Sequence, residues 1–127
     1  MKYALIGCGR IAVNHVKAVK NNNLEFVAAC DNVIENIEIL FNKQMPQDAD
    51  RIDRYTDYKQ MIAEHPEIEL IAIATPSGIH AEIALYCIDH GINVIIEKPM
   101  AMNMSDANEI VRRSEEKGVV VSACHQN

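Results

Sequence analysis

A glycine-rich turn near the start of the chain is the first place where residue types and spacing suggest chemistry. Gly7, Gly9 and Ala12 form a G-x-G-x-x-A pattern in GCGRIA, directly after an apolar run. Gly7 permits a tight turn, Gly9 lets a pyrophosphate approach the backbone, and Ala12 lets a helix pack closely on a sheet. The amides of a helix that starts at Arg10 and Ile11 would face that anion. The pattern predicts a dinucleotide site, although a plain strand-to-helix turn could use the same glycines.

Asp31 supports a dinucleotide site, because it closes the second apolar run, EFVAACD, 24 residues after Gly7. A carboxylate at this place can accept hydrogen bonds from the ribose hydroxyls of adenosine, and it would repel a 2′-phosphate. Neither Asn32 nor Val33 supplies an arginine to neutralise such a phosphate. The sequence therefore predicts NAD rather than NADP as the cofactor. Asp31 could also cap the helix that follows, and the two interpretations are compatible.

A second polar turn follows the apolar run that ends at Ala74, in the stretch IAIATPSGIHAEIA. In an open parallel sheet this turn lies at the carboxyl edge, beside the first turn, where ligand crevices form. Thr75, Pro76, Ser77 and His80 are therefore candidates for cofactor binding. Ser77 could equally be a helix cap, and a histidine at a helix start is more often a packing or capping residue than a catalyst.

Two further stretches carry polar residues to the same predicted edge. In VIIEKPMA, an apolar run ends in Glu97, Lys98 and Pro99, and a proline cannot continue a sheet ladder. Lys98 would then stand at the mouth of the site with its ammonium facing the nicotinamide end of the cofactor, unless it is only an exposed loop lysine. Glu97 and Lys98 are therefore candidates for cofactor binding. At the end of the chain, the apolar run in VVVSACHQN leads to Gln126 and Asn127, whose amides could hold a nicotinamide carboxamide.

The elements that must position these residues alternate in type along the chain. Short apolar runs without two-residue alternation predict strands buried on both faces. Segments with three-and-four apolar spacing lie between them and predict helices, one with Ile79, Ile83, Tyr86 and Cys87 on one face and Gly91 at its end. Another helix should open at Ser105 and Asp106, bury Ile110 and Val111, and end at Gly118. The predicted strands cover residues 3–6, 26–30, 70–74, 94–96 and 119–123.

This alternation predicts an α/β fold: a doubly wound parallel sheet of the Rossmann type, filling residues 1–127 as one domain. Residues 44–54, QMPQDADRIDR, are polar and contain a proline, so they are interpreted as a surface loop.

Composition limits the class of partner. A net charge of −6 argues against a nucleic-acid partner, which would need a basic face. No run is long enough to span a membrane, and no signal peptide precedes the first predicted strand, so a cytoplasmic protein is expected. The four cysteines include no Cys-x-x-Cys pair, and we interpret them as small buried hydrophobes rather than as metal ligands.

The three motifs GCGRIA, ATPSGIHAEIA and VIIEKPMA, in this order and spacing, resemble the N-terminal domain of the Gfo/Idh/MocA oxidoreductases. The resemblance covers essentially the whole chain, and the Glu-Lys-Pro element is its most specific feature. The closing SACHQN is similar to a sub-group that acts on nucleotide-sugar uronates. The resemblance implies an NAD-dependent dehydrogenase of a sugar or nucleotide sugar, with a UDP-N-acetyl-hexosaminuronate as one option.

The resemblance also implies residue roles. Lys98 would be the catalytic residue that contacts the substrate hydroxyl, with Glu97 orienting it or bonding nearby backbone. A second, substrate-binding domain would follow residue 127 and supply the general base, so the chain is expected to be a fragment of a longer protein that forms homo-oligomers. The alternative is a non-catalytic protein of the same fold that senses NAD, since fold does not fix function.

Overall fold

A computed structural model describes residues 1–9, 12, 15–17, 24–75, 77–97 and 103–124, without the side chains of Ser77 and Cys124. Six parallel strands form one sheet in the order β3-β2-β1-β4-β5-β6. This order, with its reversal between β1 and β4, is that of a doubly wound Rossmann sheet, so the predicted fold class is confirmed. The strands are β1 Lys2–Ile6, β2 Glu25–Cys30, β3 Asp53–Tyr55, β4 Leu70–Ile73, β5 Asn93–Glu97 and β6 Val121–Cys124.

The crossovers between strands contain helices. Ala12 and residues 15–17 are helical and belong to the segment after the glycine turn, here called the first helical segment. Short 3₁₀ turns cover Ala49–Arg51 and Ser77–Ile79. The α-helices with complete bounds are α1 Ile34–Gln44, α2 Tyr58–Glu64, α3 His80–Asp89 and α4 Met104–Lys117.

Two helix ends follow the sequence closely. Gly91 follows α3 with a φ of 75°, and Gly118 caps α4 with a φ of 68°. Side chains rarely adopt this left-handed backbone, so glycine is the residue that can end both helices in this way. The predicted stops are confirmed.

The prediction of a surface loop over residues 44–54 is wrong in part. Ala49 and Ile52 are buried, with exposed fractions of 2% and 1%, and Asp53–Tyr55 forms the edge strand β3. Three residues with charged neighbours give too short an apolar signal, and pairing with β2 supplies what the local sequence lacks.

The start and the faces of α4 also differ from the prediction. Its N-cap is Asn103, whose Oδ1 accepts a hydrogen bond from the Asp106 N–H at 2.8 Å, so the helix begins before Ser105. Ile110 is fully buried as predicted, whereas Val111 is 48% exposed. The helix packs against α3 and buries only a narrow stripe that contains Ile110 and Ser114, so the neighbouring position 111 faces away from the core.

The sheet separates two cores. Ile71 and Ile73 of β4 point into the core beneath α3 and α4, while Ala72 points into the core beneath α1 and the first helical segment. Successive side chains of a strand point to opposite faces, and both faces are covered here, which explains the continuous apolar runs in the sequence. Tyr3, Phe26 and Phe41 meet edge to face in the second core, with ring centroids 5.0 and 4.9 Å apart.

Candidate functional site

A cleft of about 570 Å³ opens at the carboxyl ends of β1, β2 and β4. It lies at the point where the strand order reverses, which is where open α/β sheets bind ligands. The sheet ladder continues past the strand ends to form its floor. The Gly7 N–H donates to the Cys30 carbonyl and the Ala74 N–H donates to the Ile6 carbonyl, both at 2.8 Å.

Gly7 and Gly9 are glycines for different structural reasons. Gly7 has a φ of 94°, and a Cβ on it would lie 2.7 Å from the carbonyl carbon of Ala74. A side chain is therefore excluded by both the backbone conformation and the close approach of β4. Gly9 lies at the cleft, and a Cβ on it would meet no atom within 4 Å. Gly9 leaves room that the fold itself does not fill, as expected where a ligand approaches the backbone.

Asp31 fixes this turn from the end of β2. Its Oδ2 accepts a hydrogen bond from the Cys8 N–H at 2.8 Å, and its Oδ1 accepts from the Val33 N–H at 2.8 Å. The Asn36 side-chain amide donates to the same Oδ1 at 3.2 Å. A carboxylate offers about four acceptor sites, and donors among the described residues use three of them, so within the described ranges one acceptor site is left for a ligand. Asp31 thus joins the glycine turn to the start of α1 and still lines the cleft.

The N-cap alternative for Asp31 takes a specific form. The N-cap position of α1 is Val33, which has no side-chain cap. Asp31 instead bonds the amide two residues further on, an Asx turn that leads into the helix. Sequence reasoning anticipated a link to the helix but gave no signal for the bond to the Cys8 amide, because that bond joins two turns that are distant in sequence.

The described lining of the cleft has negative charge and apolar rims. Asp31 and Glu82 are its ionisable acids, and no lysine or arginine lies among the described lining residues. Val33 and Ile79 line it with exposed fractions of 48% and 39%. Large apolar side chains held open to solvent on a cleft wall suit a flat apolar group such as a base.

The residues of the second predicted turn are divided between cleft and interior. Thr75 lines the cleft, and its Oγ1 is shielded from solvent without a hydrogen-bond partner within the described ranges. His80 is buried, with 1% of its surface exposed, and its Nε2 lies within hydrogen-bond distance of the Thr75 carbonyl. This contact holds the turn to α3. The cofactor-binding assignments of Thr75 and His80 stay predictions.

Glu97 has a partner that sequence reasoning missed. Its Oε1 lies 2.6 Å from Nε2 of His15, and the two side chains are 5% and 7% exposed. The predicted contacts of Glu97 were with Lys98 or nearby backbone, and the described partner is a histidine 82 positions earlier. The histidine sits three residues after Ala12 of the fingerprint, but nothing in its local sequence indicates a buried ionisable partner.

Several predicted site residues lie outside the described ranges: Arg10, Ile11, Pro76, Lys98, Gln126 and Asn127. The side chain of Ser77 is likewise not described, and its backbone opens the short 3₁₀ turn before α3. The structure does bring together Gly7, Gly9, Asp31 and Thr75 around one cleft.

The thiols next to the cleft are unsuited to nucleophilic chemistry. Burial, with the nearby Asp31 carboxylate as a second cause, raises the pKa of the Cys8 thiol far above its usual value and that of Cys30 to about 12. Burial alone raises the pKa of Cys87 to about 12. Thiols this hard to ionise behave as small apolar side chains. This agrees with the interpretation of the cysteines as buried hydrophobes; of Cys124 only the backbone is described.

Residues 1–125 match an oxidoreductase family, GFO_IDH_MocA, described as having an NAD-binding Rossmann fold. The chain belongs to this family. The resemblance seen in the three motifs is thereby confirmed, and so is the assignment of the chain as an NAD-binding Rossmann domain of an oxidoreductase family.

Individual relatives share moderate identity with the chain. The scyllo-inositol 2-dehydrogenase (NADP(+)) IolW of Bacillus subtilis is 41% identical over 64 residues, which are 50% of this chain and 18% of that protein. The crystal structure of the WlbA dehydrogenase from Bordetella pertussis, in complex with NADH and UDP-GlcNAcA, superposes with a TM-score of 0.84 at 28% identity. The WlbA dehydrogenase of Chromobacterium violaceum, in complex with the same two ligands, gives a TM-score of 0.86 at 25% identity.

This chain is shorter than these proteins. The match covers 97% and 98% of it but only 36% and 34% of the two WlbA chains. Within the described ranges no cluster of three metal-ligating side chains occurs, and no described helix has the length and apolarity to cross a membrane.

Proposed function

We propose that the chain is the cofactor domain of an NAD-dependent dehydrogenase that takes a hydride from a secondary hydroxyl of a sugar or nucleotide sugar. The observation that carries this proposal is the Asp31 carboxylate, which holds the glycine turn at the switch-point cleft and has one acceptor site that no donor in the described part of the chain uses. Family membership supports the reaction class.

The described residues fit NAD. Gly9 leaves open space above the turn for a pyrophosphate, and Asp31 has room for one ribose hydroxyl. Val33 and Ile79 provide apolar walls for an adenine ring. Arg10 and Ile11 would contribute amides, and Gln126 and Asn127 would hold the carboxamide. NAD supplies the hydride acceptor, and the protein supplies orientation and electrostatics.

The charge of the cleft favours NAD over NADP. A 2′-phosphate would be placed beside Asp31 and in the field of Glu82, with no cation among the described lining residues to neutralise it. The Bacillus subtilis relative whose name carries NADP(+) shows that the other cofactor occurs among similar proteins. We therefore base the choice of cofactor on this chain's own cleft residues.

The proposed substrate is a UDP-N-acetyl-hexosaminuronate. The two WlbA structures described above contain UDP-GlcNAcA. The closing stretch SACHQN is similar to the sub-group that acts on nucleotide-sugar uronates, which favours the same class of substrate. Lys98 would contact the reacting hydroxyl, where a cation favours the developing alkoxide. A second domain beyond residue 127 would carry the rest of the substrate pocket and the general base. The proposal includes a homo-oligomeric, cytoplasmic full-length protein.

The cofactor part of the proposal can be tested by titrating the full-length protein with NAD and NADP. Asp31→Ser removes a charged acceptor, and hydrogen bonds to charged groups contribute about 1.5–3 kcal/mol, so NAD affinity should fall roughly 10- to 100-fold. Discrimination against NADP should shrink at the same time. Glu82→Gln, an exposed acid on the same cleft, is the matched control and should keep its NAD affinity within about threefold. Unchanged NAD binding in Asp31→Ser would refute the assignment.

The catalytic part needs a separate measurement, because a protein that only senses NAD would have no use for Lys98. Lys98→Ala should leave NAD affinity intact and lower NADH formation from UDP-GlcNAcA by on the order of 100-fold. A variant with full activity would contradict the dehydrogenase role of this lysine. Wild-type protein that binds NAD but oxidises no sugar nucleotide would instead favour the sensor.

A further inference from the structure

The His15–Glu97 pair is the buried ionisable contact that the proposed cofactor site does not explain. Both side chains are almost fully enclosed, and their Nε2 and Oε1 atoms are 2.6 Å apart. Glu97 is the last residue of β5, and His15 belongs to the first helical segment. The contact therefore joins the segment that follows the glycine turn to the end of the strand that leads into Lys98.

The position of β5 is set from both of its faces. Ile96 is fully buried in the core beneath α3 and α4. Ile95, on the other face, packs against the core that contains Ala12 and Val16. Glu97 shares the face of Ile95, since side chains alternate along a strand, and there it meets His15. The last position of the strand is thus held by a polar contact, whereas the position before it is held by apolar packing.

The pair is poorly satisfied as a purely structural device. Oε2 of Glu97 is shielded from solvent and has no hydrogen-bond partner in the part of the chain that is described. Buried polar atoms without partners are rare and costly, and a well-packed apolar pair of similar volume is often at least as stable as a buried ionic one. Stability alone therefore does not account for a histidine and a glutamate at these two positions.

We propose that His15 is a positioning residue for the reaction, acting through Glu97. By fixing the carboxylate it sets the place and direction in which the chain leaves β5, one peptide bond before Lys98. The directional hydrogen-bond contact defines this geometry more narrowly than apolar packing would, because hydrogen bonds weaken steeply with misalignment. The inference rests on the proposed function for its effect on rate, while its effect on the environment of Lys98 does not depend on activity.

The test uses the full-length protein with two replacements at His15. His15→Leu keeps an apolar fit and removes the polar contact, and His15→Gln keeps a donor for Glu97. Misplacement of a reacting group by about 1 Å can cost on the order of 100-fold in rate, so kcat with NAD and UDP-GlcNAcA should fall by that order in His15→Leu. The Kd for NAD should change less than about threefold, and His15→Gln should recover a large part of kcat.

A second readout reports on Lys98 without catalysis. The rate of acetylation of Lys98, measured by mass spectrometry without substrate, should change several-fold in His15→Leu, while that of Lys59 should not. His65→Leu is the matched control: this histidine also contacts two carboxylates, but at the opposite edge of the sheet. It should lower thermal stability and leave both kcat and Lys98 acetylation unchanged.

The outcomes separate the two proposals. If kcat and Lys98 acetylation are both unchanged in His15→Leu, the positioning role is wrong. A loss of kcat that only follows a loss of thermal stability, with Lys98 acetylation unchanged, also overturns it. If the wild-type protein has no dehydrogenase activity but Lys98 acetylation responds to His15, positioning stands and the proposed function fails. Should His15→Leu not fold, His15→Gln and Glu97→Gln carry the same two measurements.

Discussion

The two edges of the sheet carry cavities of the same size but hold their charged side chains differently. The carboxyl edge has the cleft around Gly7, Gly9 and Asp31, and the amino edge has a cavity of about 570 Å³ lined by Glu25, Asp53, His65 and Glu67 among others. Volume alone therefore does not tell a binding site from a surface depression.

The carboxylates show the difference. At the carboxyl edge, Asp31 accepts from a turn amide, and Glu97 is enclosed with one oxygen that has no hydrogen-bond partner among the described residues. At the amino edge, side chains contact one another near the surface: Lys2 pairs with Glu25, and His65 lies 2.9 Å from Asp53 and 2.7 Å from Glu67. At the carboxyl edge, carboxylates hold the backbone and keep acceptor atoms available within the described ranges, as expected where a ligand binds. At the amino edge, the ionisable side chains pair with one another, as is usual on a solvated face.

The glycines provide the largest expected effect on this comparison. Gly7→Ala forces a Cβ to 2.7 Å from the Ala74 carbonyl carbon at a φ of 94°, so we expect a loss of at least about 2 kcal/mol in the free energy of unfolding. In Gly9→Ala the new Cβ meets open space, so the free energy of unfolding should stay within about 1 kcal/mol of the wild-type value. The variant should nevertheless bind NAD more weakly. Denaturant unfolding and NAD titration check both variants. If the two variants were equally stable, the close approach of Ala74 to Gly7 would not be the reason for the glycine at position 7.

An effect of intermediate size is expected for the reactivity of the buried thiols at the carboxyl edge. The pKa of Cys30 is raised from 9.0 to about 12, so its thiolate fraction at neutral pH is lowered roughly 1000-fold. Alkylation in the native state, followed by mass spectrometry, should be slow at Cys8, Cys30 and Cys87 and become fast after unfolding. Rapid native labelling of Cys30 would show that the carboxyl edge opens more readily than its packing indicates.

The smallest effect is expected at the amino edge. A hydrogen bond from His65 lowers the pKa of Glu67, so the ionised carboxylate stabilises the fold above the pKa of the unfolded chain. This contribution is lost as the pH falls through the lowered folded-state pKa. Solvent screening limits it to less than about 1 kcal/mol, since the Glu67 side chain is 41% exposed. The difference in melting temperature between wild type and Glu67→Gln should close on acidification, and a difference that grows would contradict this assignment.

Predictions from sequence succeeded where the cause was local. The glycine spacing correctly predicted a tight turn, and Gly91 and Gly118 correctly predicted helix ends. The apolar runs correctly predicted strands that are covered on both faces. They failed at β3, which is short and polar, and at Val111, which is exposed although its neighbour Ile110 is buried. At β3 the deciding contact is the pairing with β2, which comes from another part of the chain.

The sequence by itself determined the fold class, the family and the turn that a dinucleotide needs, because spacing and backbone freedom act over a few residues. Only the tertiary structure decided that Asp31 holds the Cys8 amide and that His15 meets Glu97. The first contact joins residues 23 positions apart and the second joins residues 82 positions apart. A local sequence pattern does not indicate which distant side chains will pack together. The parallel sheet brings these partners to one edge, since every strand ends there.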